Sequence, residues 1–394
     1  MNVRIFIKGV YNRLVIKTIK NTEDLPDISK WKEYLKRIGN DDDPIKESFR
    51  KHKCRMTYFG CFRLVLINIL SFFYLCVTSF RVNKKRIEPS FDNVATLIER
   101  KAIPSKDIFP SALVNEYSNI NIVDYDSISF DQLVQELFSI YVRIKKKYFF
   151  HPYYLLQIKQ GLSMISYCLL NSTFNALIVY DSERDISTPI IKAYLESKGI
   201  KYISFMHGEY LLQLIQAHMS FSEYYIWHHT YIEMFKDVLK CNIGNYIIYK
   251  PFKMKKKFDF STLEPDHFMT YYLSGESTVS LDNLVDIFNV FESNGKRCVI
   301  RFHPRYSHVD LIYRLFDTSK IENPKEIALE TSLSSTEYVV GLSSTVLSEA
   351  YAEGKKIVID DISNPKQFEN IKHRYCIALS KEHLLLSDLI SECK

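Results

Sequence analysis

Hydrophobic and polar positions in the middle of the chain follow a strand–helix–strand pattern. The apolar run at 176–180 ends in Asp181, and a second, mostly apolar run, 201–206, ends before His207. Between them, residues 187–198 begin with Ser-Thr-Pro and stop at a glycine, which are typical signals for the start and the end of a helix. This spacing predicts a βαβ crossover and therefore a parallel sheet.

The flanking segments extend this α/β pattern in both directions. Further strands are predicted at 120–125 and 224–227, with long helices over 130–170 and a shorter one at 230–240. The last third of the chain repeats the pattern. Its predicted strands are 268–273, 297–302, 337–341 and 355–360, and its predicted helices are 281–293 and 345–353.

A polar, basic stretch with two prolines, 250–266, separates the two α/β segments and is predicted to be a linker. The chain has 394 residues, which is enough for two domains of about 150–200 residues each. We therefore predict two Rossmann-like domains facing a cleft, an N-terminal one over 1–250 and a C-terminal one over 267–394. Ligands of such sheets bind at the carboxyl ends of the strands.

The segment 58–80 breaks the pattern because it is almost uniformly apolar. Seventeen uncharged residues lie between Arg63 and Arg81, and basic clusters flank them on both sides. A membrane-spanning helix needs about 20 apolar residues, so this run is short for a span. Three interpretations stay open, namely a helix buried in the N-terminal domain, a helix lying in the membrane surface, and a true span.

The positive charge of the chain is concentrated near its beginning. The net charge is +6, and residues 1–90 hold 19 Lys and Arg against nine Asp and Glu, a balance of +10 that leaves −4 for 91–394. Such asymmetry indicates an anionic neighbour. No nucleic-acid recognition motif is present. We therefore predict peripheral contact with an anionic membrane through the basic N-terminal region, and no nucleic-acid partner.

Cysteine usage and the first residues bear on the compartment. The eight cysteines form no Cys-x-x-Cys pair, and several, such as Cys76 and Cys298, sit in apolar runs, which predicts buried, reduced thiols. The opening residues lack the apolar core and the cleavage site of a signal peptide. We expect a cytoplasmic protein that associates with the inner face of the cytoplasmic membrane.

Polar clusters follow several predicted strands, and the first is Arg301-Phe302-His303-Pro304-Arg305. His303 is suited to donate a proton or a hydrogen bond to a phosphate, and Arg305 adds a fixed positive charge. Arg301 is expected on the same side of its strand as His303 because strand side chains alternate. The competing interpretation is an ordinary strand end with a surface arginine.

The second cluster is Ser343-Ser344-Thr345, which follows Gly341 and opens a predicted helix. The first N–H groups of a helix and its dipole favour a bound phosphate, and the hydroxyls add donors. Simple N-capping by Ser344 or Thr345 is the alternative. Capping needs one hydroxyl, so three in a row favour a phosphate site.

The third cluster, His207-Gly208-Glu209, supplies candidates for the general base. Glu209 or His207 is suited to remove the proton of an acceptor hydroxyl. Asp181 at the adjacent strand end, together with Glu183, is the next candidate. The acidic run 41–43 is a further one, for which a solvated loop is the simpler interpretation.

A fourth cluster, Ser274-Gly275-Glu276, also follows a predicted strand. Gly275 would allow the backbone to approach a nucleotide closely, and Glu276 lies beside it. The pair His228-His229 is not expected to bind one metal ion, because neighbours on a strand point to opposite faces. No other metal-ligand spacing occurs, so we expect neither a metal nor another cofactor.

The His303-Pro304 pair after a strand, followed some forty residues later by Ser343-Ser344-Thr345 at a helix start, resembles the bacterial sialyltransferases of the GT-B type. The resemblance covers roughly residues 175–360. In that family the His-Pro motif contacts the CMP donor and the Ser/Thr motif binds its phosphate. The family's acidic base motif has no match here.

This resemblance implies a GT-B-like fold and an inverting, metal-independent transfer of sialic acid from CMP-sialic acid. The implied acceptor is a hydroxyl of a lipid-linked surface glycan such as O-antigen, lipooligosaccharide or capsule. Two alternatives remain open. One is another cytidine-nucleotide transferase, moving glycerol phosphate, ribitol phosphate or Kdo. The other is an inactive sugar-nucleotide-binding assembly protein.

Overall fold

The computed structural model describes residues 28–39, 42–78, 81–85, 87–90, 92–99, 108–249, 265–372 and 382–392. These residues fall into two compact units. Unit 1 comprises the described residues up to His207 together with 213–249, and unit 2 comprises Gly208–Leu212 together with those from 265 onward. The predicted linker 250–266 lies outside the described residues except for its last two positions.

Unit 1 is built on a six-stranded parallel sheet. Its strands are β2 (Val94–Glu99), β3 (Asn119–Asp124), β5 (Ala176–Tyr180), β6 (Lys201–Phe205), β7 (Ser220–Ile226) and β8 (Asn242–Ile248). Two short strands, β1 (Arg81–Asn83) and β4 (Gln132–Val134), pair with each other outside this sheet. Its helices are α1 (Ile28–Ile38), α2 (Pro44–Met56), α3 (Cys61–Val77), α4 (Ser111–Glu116), α5 (Gln135–Lys147), α6 (Pro152–Asn171), α7 (Thr188–Glu196) and α8 (Thr230–Ile232).

The strand order in unit 1 is β3-β2-β5-β6-β7-β8. The order reverses between β2 and β5, and the carboxyl ends of strands at such a switch point are where ligands bind in doubly wound sheets. The β5–α7–β6 crossover confirms the predicted βαβ unit. α8 continues as a π-helical turn, Glu233–Val238, where a regular helix was predicted.

Unit 2 contains a second parallel sheet of six strands. Its strands are β9 (His267–Tyr272), β10 (Cys298–Arg301), β11 (Ile321–Glu322), β12 (Thr336–Gly341), β13 (Lys356–Ile359) and β14 (Leu384–Leu385). Its helices are α9 (Thr278–Ser293), α10 (Val309–Leu315), α11 (Leu329–Ser335), α12 (Thr345–Ala352), α13 (Pro365–Ile371) and α14 (Leu386–Glu392). One core cluster joins α9 to the sheet through residues such as Leu284, Phe288, Ile300 and Val340.

The strand order β11-β10-β9-β12-β13-β14 is the order 3-2-1-4-5-6 of Rossmann folds. It places β9 between β10 and β12, so the loops after these three strands are neighbours at one sheet edge. The α/β prediction with two Rossmann-like domains is therefore confirmed. That the two domains face a cleft stays a prediction.

Two details differ from the sequence-based expectations. The predicted domain division is linear, whereas Gly208–Leu212 belongs to unit 2 although the chain on both sides belongs to unit 1. Burial was expected for both Cys76 and Cys298. Cys298 is buried, but Cys76 is exposed because it lies on the side of α3 opposite the buried Ile67 and Ser71. Apolar neighbours in sequence do not by themselves bury a side chain.

Candidate functional site

The loop after β9 is folded back on its own acidic side chain. The carboxylate of Glu276 accepts the backbone N–H groups of Ser274 at 2.8 Å and of Gly275 at 2.9 Å, and the hydroxyl of Ser274 at 3.0 Å. Burial raises the pKa of Glu276, and these hydrogen bonds oppose that rise. Gly275 has a φ of +109°, a conformation that favours glycine. The loop therefore presents backbone amides gathered around one anionic group.

The loop after β10 holds His303 in a defined tautomer. Its Nδ1 accepts the backbone N–H of Arg305 at 3.1 Å, so the ring proton of the neutral imidazole is carried by Nε2. Burial, and then the charge of Arg305, lower the pKa of His303. Its ring stacks on Tyr306 with a centroid separation of 4.5 Å. His303 is therefore set up as a neutral N–H donor; Pro304 and Arg305 beside it are exposed.

The loop after β12 leads into helix α12. Ser344 is the N-cap, and its Oγ accepts the backbone N–H of Val346 at 3.4 Å. Ser344 is therefore a helix N-cap, which was the alternative to a role in binding phosphate. Ser343 and Thr345 are the hydroxyls that this cap does not use, and both are partly exposed at the helix start.

These three loops of unit 2 adjoin one another. Ser343 Oγ lies 3.4 Å from Ser274 Oγ. A Cβ placed on Gly275 would lie 3.1 Å from Cβ of Tyr306, whose ring stacks on His303. Amide N–H groups, hydroxyls, an imidazole N–H and a helix N-terminus are thus gathered at one edge of the sheet. Such a set can hold a phosphate. We call it the unit 2 loop site.

Arg301, expected beside His303, is turned into the interior of unit 2. Its guanidinium donates to Glu322 Oε2 at 3.2 Å and to the carbonyl oxygen of Ile327 at 2.8 Å. Ser332 also donates to Glu322 and contacts the hydroxyl of Tyr272 at 2.7 Å. β10 ends at Arg301, so His303 lies beyond the strand and the alternation rule does not link the two side chains. The side chain of Arg301 therefore belongs to a buried hydrogen-bond network of unit 2 and not to the unit 2 loop site.

In unit 1, Asp181 and His207 meet at the carboxyl ends of β5 and β6. His207 Nε2 lies 3.7 Å from Asp181 Oδ1. Asp181 has a φ of +54°, which is uncommon for a residue other than glycine. Glu183 is buried and accepts the hydroxyl of Tyr224 at 3.0 Å, and Lys51 Nζ donates to its carbonyl oxygen at 2.6 Å. Asp181 and His207 are therefore the accessible pair, whereas Glu183 is held in a buried network.

Asp181, Glu183 and His207 also form a group with possible metal ligands. One ligand atom from each lies within 4.8 Å of the others. No such group was predicted from the sequence, because the three residues follow the ends of two different strands. For His228 and His229, the expectation that the two side chains point to opposite faces is wrong. Their rings lie 4.0 Å apart, because both follow the end of β7 and are not held on opposite faces of a strand.

A pocket of about 330 Å³ opens beside Asp181 within unit 1. This volume is at the lower end of the range for small-molecule sites. Arg55 at the end of α2 reaches the pocket and lies 6.0 Å from the ring centre of Tyr153. The other lining residues are aromatic, amide-bearing, charged or small, namely Tyr125, Phe130, Gln157, Gln160, Gly161, Met164, Arg184 and Asp185. Arg55 was not among the residues predicted from the sequence, because it is 126 positions from Asp181 along the chain.

Glu209 and Gly208 lie in the segment that belongs to unit 2. A Cβ placed on Gly208 would lie 3.8 Å from Thr345 Oγ1, and Leu211 packs against the core cluster that includes Leu347. Glu209 is partly buried. This segment thus runs beside the start of α12, next to the unit 2 loop site.

The acidic run 41–43 contributes a helix cap. Asp43 is the N-cap of α2, and its Oδ1 accepts the backbone N–H of Ile45 at 2.9 Å. Asp42 is exposed, and Asp41 lies outside the described residues. The exposed position of Asp42, outside any helix or strand, agrees with the simpler interpretation of this run as a solvated loop.

Comparisons with known proteins give general structural similarity only. No protein-family model matches the chain, and no curated protein matches it. The glycotransferase of kitacinnamycin aligns with a TM-score of 0.40 and 8% identity over 78% of this chain and 90% of that chain. The wall teichoic acid polymerase TagF aligns at 0.41 and 9%, over 90% and 88%. The UDP-GlcNAc 2-epimerase of Methanocaldococcus jannaschii aligns at 0.41 and 15%, over 76% and 91%. The assignment of two α/β units therefore rests on the two sheets of this protein and not on these similarities.

Proposed function

We propose that this protein is an inverting, metal-independent glycosyltransferase that moves sialic acid from CMP-sialic acid to a hydroxyl of a surface-glycan acceptor. The observation that supports this proposal best is the unit 2 loop site, where Ser274, Gly275, His303 and Ser343 are gathered at the switch point of a Rossmann sheet. Such a switch point is where nucleotides bind in folds of this kind.

The unit 2 loop site suits the phosphate of a nucleotide sugar. The start of α12 supplies a partial positive charge, and Ser343 and Thr345 supply hydroxyl donors that the helix cap does not use. These groups are fixed by secondary structure before a ligand arrives. Preorganised donors stabilise a leaving phosphate without the reorganisation that water would need.

His303 has the role of stabilising the leaving group. Its Nε2 carries the ring proton, because Nδ1 accepts the N–H of Arg305. A lowered pKa keeps the imidazole neutral near pH 7, so it acts as a hydrogen-bond donor and not as a fixed cation. Arg305 supplies the positive charge nearby. Negative charge that develops on the phosphate as the sugar departs strengthens both interactions.

The choice of cytidine and sialic acid rests on the sequence resemblance. His303-Pro304 follows β10 and Ser343-Ser344-Thr345 opens α12, an order and spacing that resemble the two donor motifs of the sialyltransferases. The same loops could serve another cytidine nucleotide, so the test includes CDP-linked donors.

The acceptor side of the reaction is assigned to unit 1. The Asp181–His207 pair at 3.7 Å is a candidate for general-base catalysis, with the carboxylate orienting the imidazole or accepting the proton itself. The adjoining pocket combines two aromatic rings, two amides and two arginines, a lining suited to a polar saccharide. Glu209 in unit 2 is the alternative base.

A thermal-shift panel tests the donor assignment. CMP, CDP, UDP, GDP and the corresponding sugar nucleotides are compared, because a ligand that binds the folded state raises the melting temperature by mass action. CMP and CMP-sialic acid should give the largest shifts. A larger shift with CDP-glycerol, or with a uridine or guanosine nucleotide, would replace the donor in this proposal. Release of CMP from CMP-sialic acid in the presence of an acceptor then distinguishes a transferase from a binding protein.

A further inference from the structure

The side of α3 that faces away from unit 1 is apolar and exposed. Phe62 is 81% exposed and Phe73 is 56% exposed. With helical geometry of about 100° per residue, the exposed apolar positions fall within an arc of about 140°. The large ones are Phe62, Val65, Ile69, Phe72, Phe73 and Val77.

The opposite side of α3 fixes the helix to unit 1. Ile67 is buried in a cluster with Phe59 and Tyr153 of α6, and Ser71 is buried one turn further on. Within the part of the chain that the structure describes, no helix is long and apolar enough to cross a membrane. One side of α3 is thus packed against unit 1 and the other is exposed, so α3 is not the fully buried helix that was one interpretation of the sequence.

A second apolar element adjoins α3. The turn between α5 and α6 presents Phe149 and Phe150, of which Phe150 is 88% exposed, with a ring separation of 5.5 Å. Just beyond this turn the backbone N–H of Tyr153 donates to Asn68 Oδ1, in the middle of α3, at 3.3 Å. We define the exposed side of α3 together with Phe149 and Phe150 as the α3 surface.

The chain segments that form the α3 surface contain basic residues and no acids. Residues 48–87 contain nine Lys and Arg and no Asp or Glu, and residues 137–180 contain five Lys and Arg and no Asp or Glu. Two of these cations, Lys51 and Lys159, are buried, and the others that the structure describes are exposed or partly exposed. Lys145, Lys146 and Lys147 end α5 immediately before the Phe149–Phe150 turn and are exposed. Arg81 and Lys84 are exposed shortly after α3.

We propose that the α3 surface docks onto an anionic phospholipid bilayer, with α3 lying in the interface and the lysines of α5 contacting headgroups. Exposed aromatic and aliphatic side chains flanked by exposed lysines and arginines match the boundary between acyl chains and negative headgroups. Among the α5 lysines, Lys147 also lies 4.0 Å from Asp43. The predominance of exposed basic side chains next to the exposed apolar ones favours this occupant over a protein partner or a second copy of this chain. The proposal is independent of the donor nucleotide. It would bring unit 1 to the place where lipid-linked acceptors lie.

Vesicle sedimentation with the full chain tests this proposal. Phosphatidylcholine vesicles are compared with vesicles that contain about 30% phosphatidylglycerol, a typical anionic surface. The protein should sediment with the anionic vesicles and much less with the neutral ones. Binding should weaken as salt is raised, because the headgroup attraction is screened beyond a Debye length of about 10 Å at 0.1 M.

Two variants locate the contact. Phe62→Ser with Phe73→Ser removes apolar area from α3, and Phe149→Ser with Phe150→Ser removes it from the turn. Each double variant should lower the partition coefficient about tenfold or more, since each buried apolar side chain contributes to interfacial binding. Val114→Ser with Ile122→Ser removes two side chains of unit 1 that are 59% and 62% exposed elsewhere, and should bind as the unaltered protein does. Circular dichroism melting confirms that each variant folds.

The following results would overturn the proposal. They are no binding of the unaltered protein to anionic vesicles, equal binding by folded α3-surface variants, and a dimer in gel filtration that these variants dissociate. Binding that is lost equally in the Val114/Ile122 control would also count against it. If a Phe→Ser pair does not fold, Lys145→Gln with Lys146→Gln replaces it, and unchanged binding of that variant to anionic vesicles would overturn the role of the α5 lysines.

Discussion

The carboxylate of Glu276 occupies the backbone N–H of Ser274, one of the amides that the unit 2 loop site offers to a phosphate. An internal anion thus sits where the donor's phosphate would compete for the same N–H groups. Burial raises the pKa of this carboxyl group, which shows that its charge is held at a cost.

Replacing Glu276 with Gln should therefore strengthen nucleotide binding. Like charges about 4 Å apart cost about 1 kcal/mol in water and more at a partly buried site, so CMP should bind about fivefold tighter or more. Isothermal titration measures the change. Glu326→Gln, at an exposed position of unit 2, is the matched control and should leave the affinity unchanged. Weaker binding in Glu276→Gln would mean that the carboxylate shapes the loop for the donor instead of competing with it.

His303 and Ser343 should act on the same phosphate. Loss of one preorganised donor in His303→Ala should lower turnover about 100- to 1000-fold. Ser343→Ala removes a hydrogen bond to an anion, about 1.5–3 kcal/mol, and should weaken donor binding. The double variant should lose less than the product of the single losses, because both side chains contact one group. Normal turnover in His303→Ala with only a lower melting temperature would remove His303 from the mechanism.

Turnover should survive EDTA. In the proposed reaction, the unit 2 loop site and the neighbouring Arg305 would hold the phosphate with N–H groups, hydroxyls and one positive charge, so no divalent cation is needed. Initial rates before and after chelation, measured with the same donor, check this. A loss restored by Mg²⁺ or Mn²⁺ contradicts the prediction and directs attention to Asp181, Glu183 and His207, whose ligand atoms lie within 4.8 Å of one another. His207→Asn would then shift the metal concentration needed for activity.

The network around Arg301 should govern stability and not the chemical step. Arg301 and Glu322 are both buried, and removing one partner leaves an uncompensated charge, at a typical cost of about 3–5 kcal/mol. Arg301→Met should lower the free energy of unfolding by that amount, with turnover per folded molecule nearly unchanged. Combining it with Glu322→Gln should recover part of the loss. A large fall in kcat at full stability would place Arg301 at the substrate after all.

Stability should fall as the solution becomes acidic, through His52. Burial among aromatic rings lowers the pKa of His52 to about 3, against an ordinary value of 6.5, so the folded state favours the neutral ring. The contribution is therefore complete above pH 6.5 and is lost as the pH falls toward 3. Between pH 6.5 and 5 the loss should be roughly 2 kcal/mol. Urea unfolding of the unaltered protein and of His52→Gln isolates this effect, and parallel pH profiles for the two would contradict it.

Local sequence was sufficient for the regular α/β core. The run at 176–180, the helix signals at 187–199 and the run at 201–206 correspond to β5, α7 and β6 within one or two residues. The same holds for β10, β12 and β13 in unit 2. These elements obey a short-range period and short-range stop signals, which a single sequence displays directly. For the same reason, the polar residues after each strand were found as candidates before their surroundings were known.

The sequence by itself determined which loops follow the strands, and therefore that His303, Ser343, Ser274 and Asp181 stand at strand ends. Only the tertiary structure decided which of these meet, because the order of strands in a sheet is set by long-range packing and not by the order along the chain. It turned Arg301 toward Glu322, brought Arg55 to the pocket beside Asp181, and assigned Gly208–Leu212 to unit 2. It also left one side of α3 exposed, since an apolar run fixes a helix's hydrophobicity but not the neighbours that cover it.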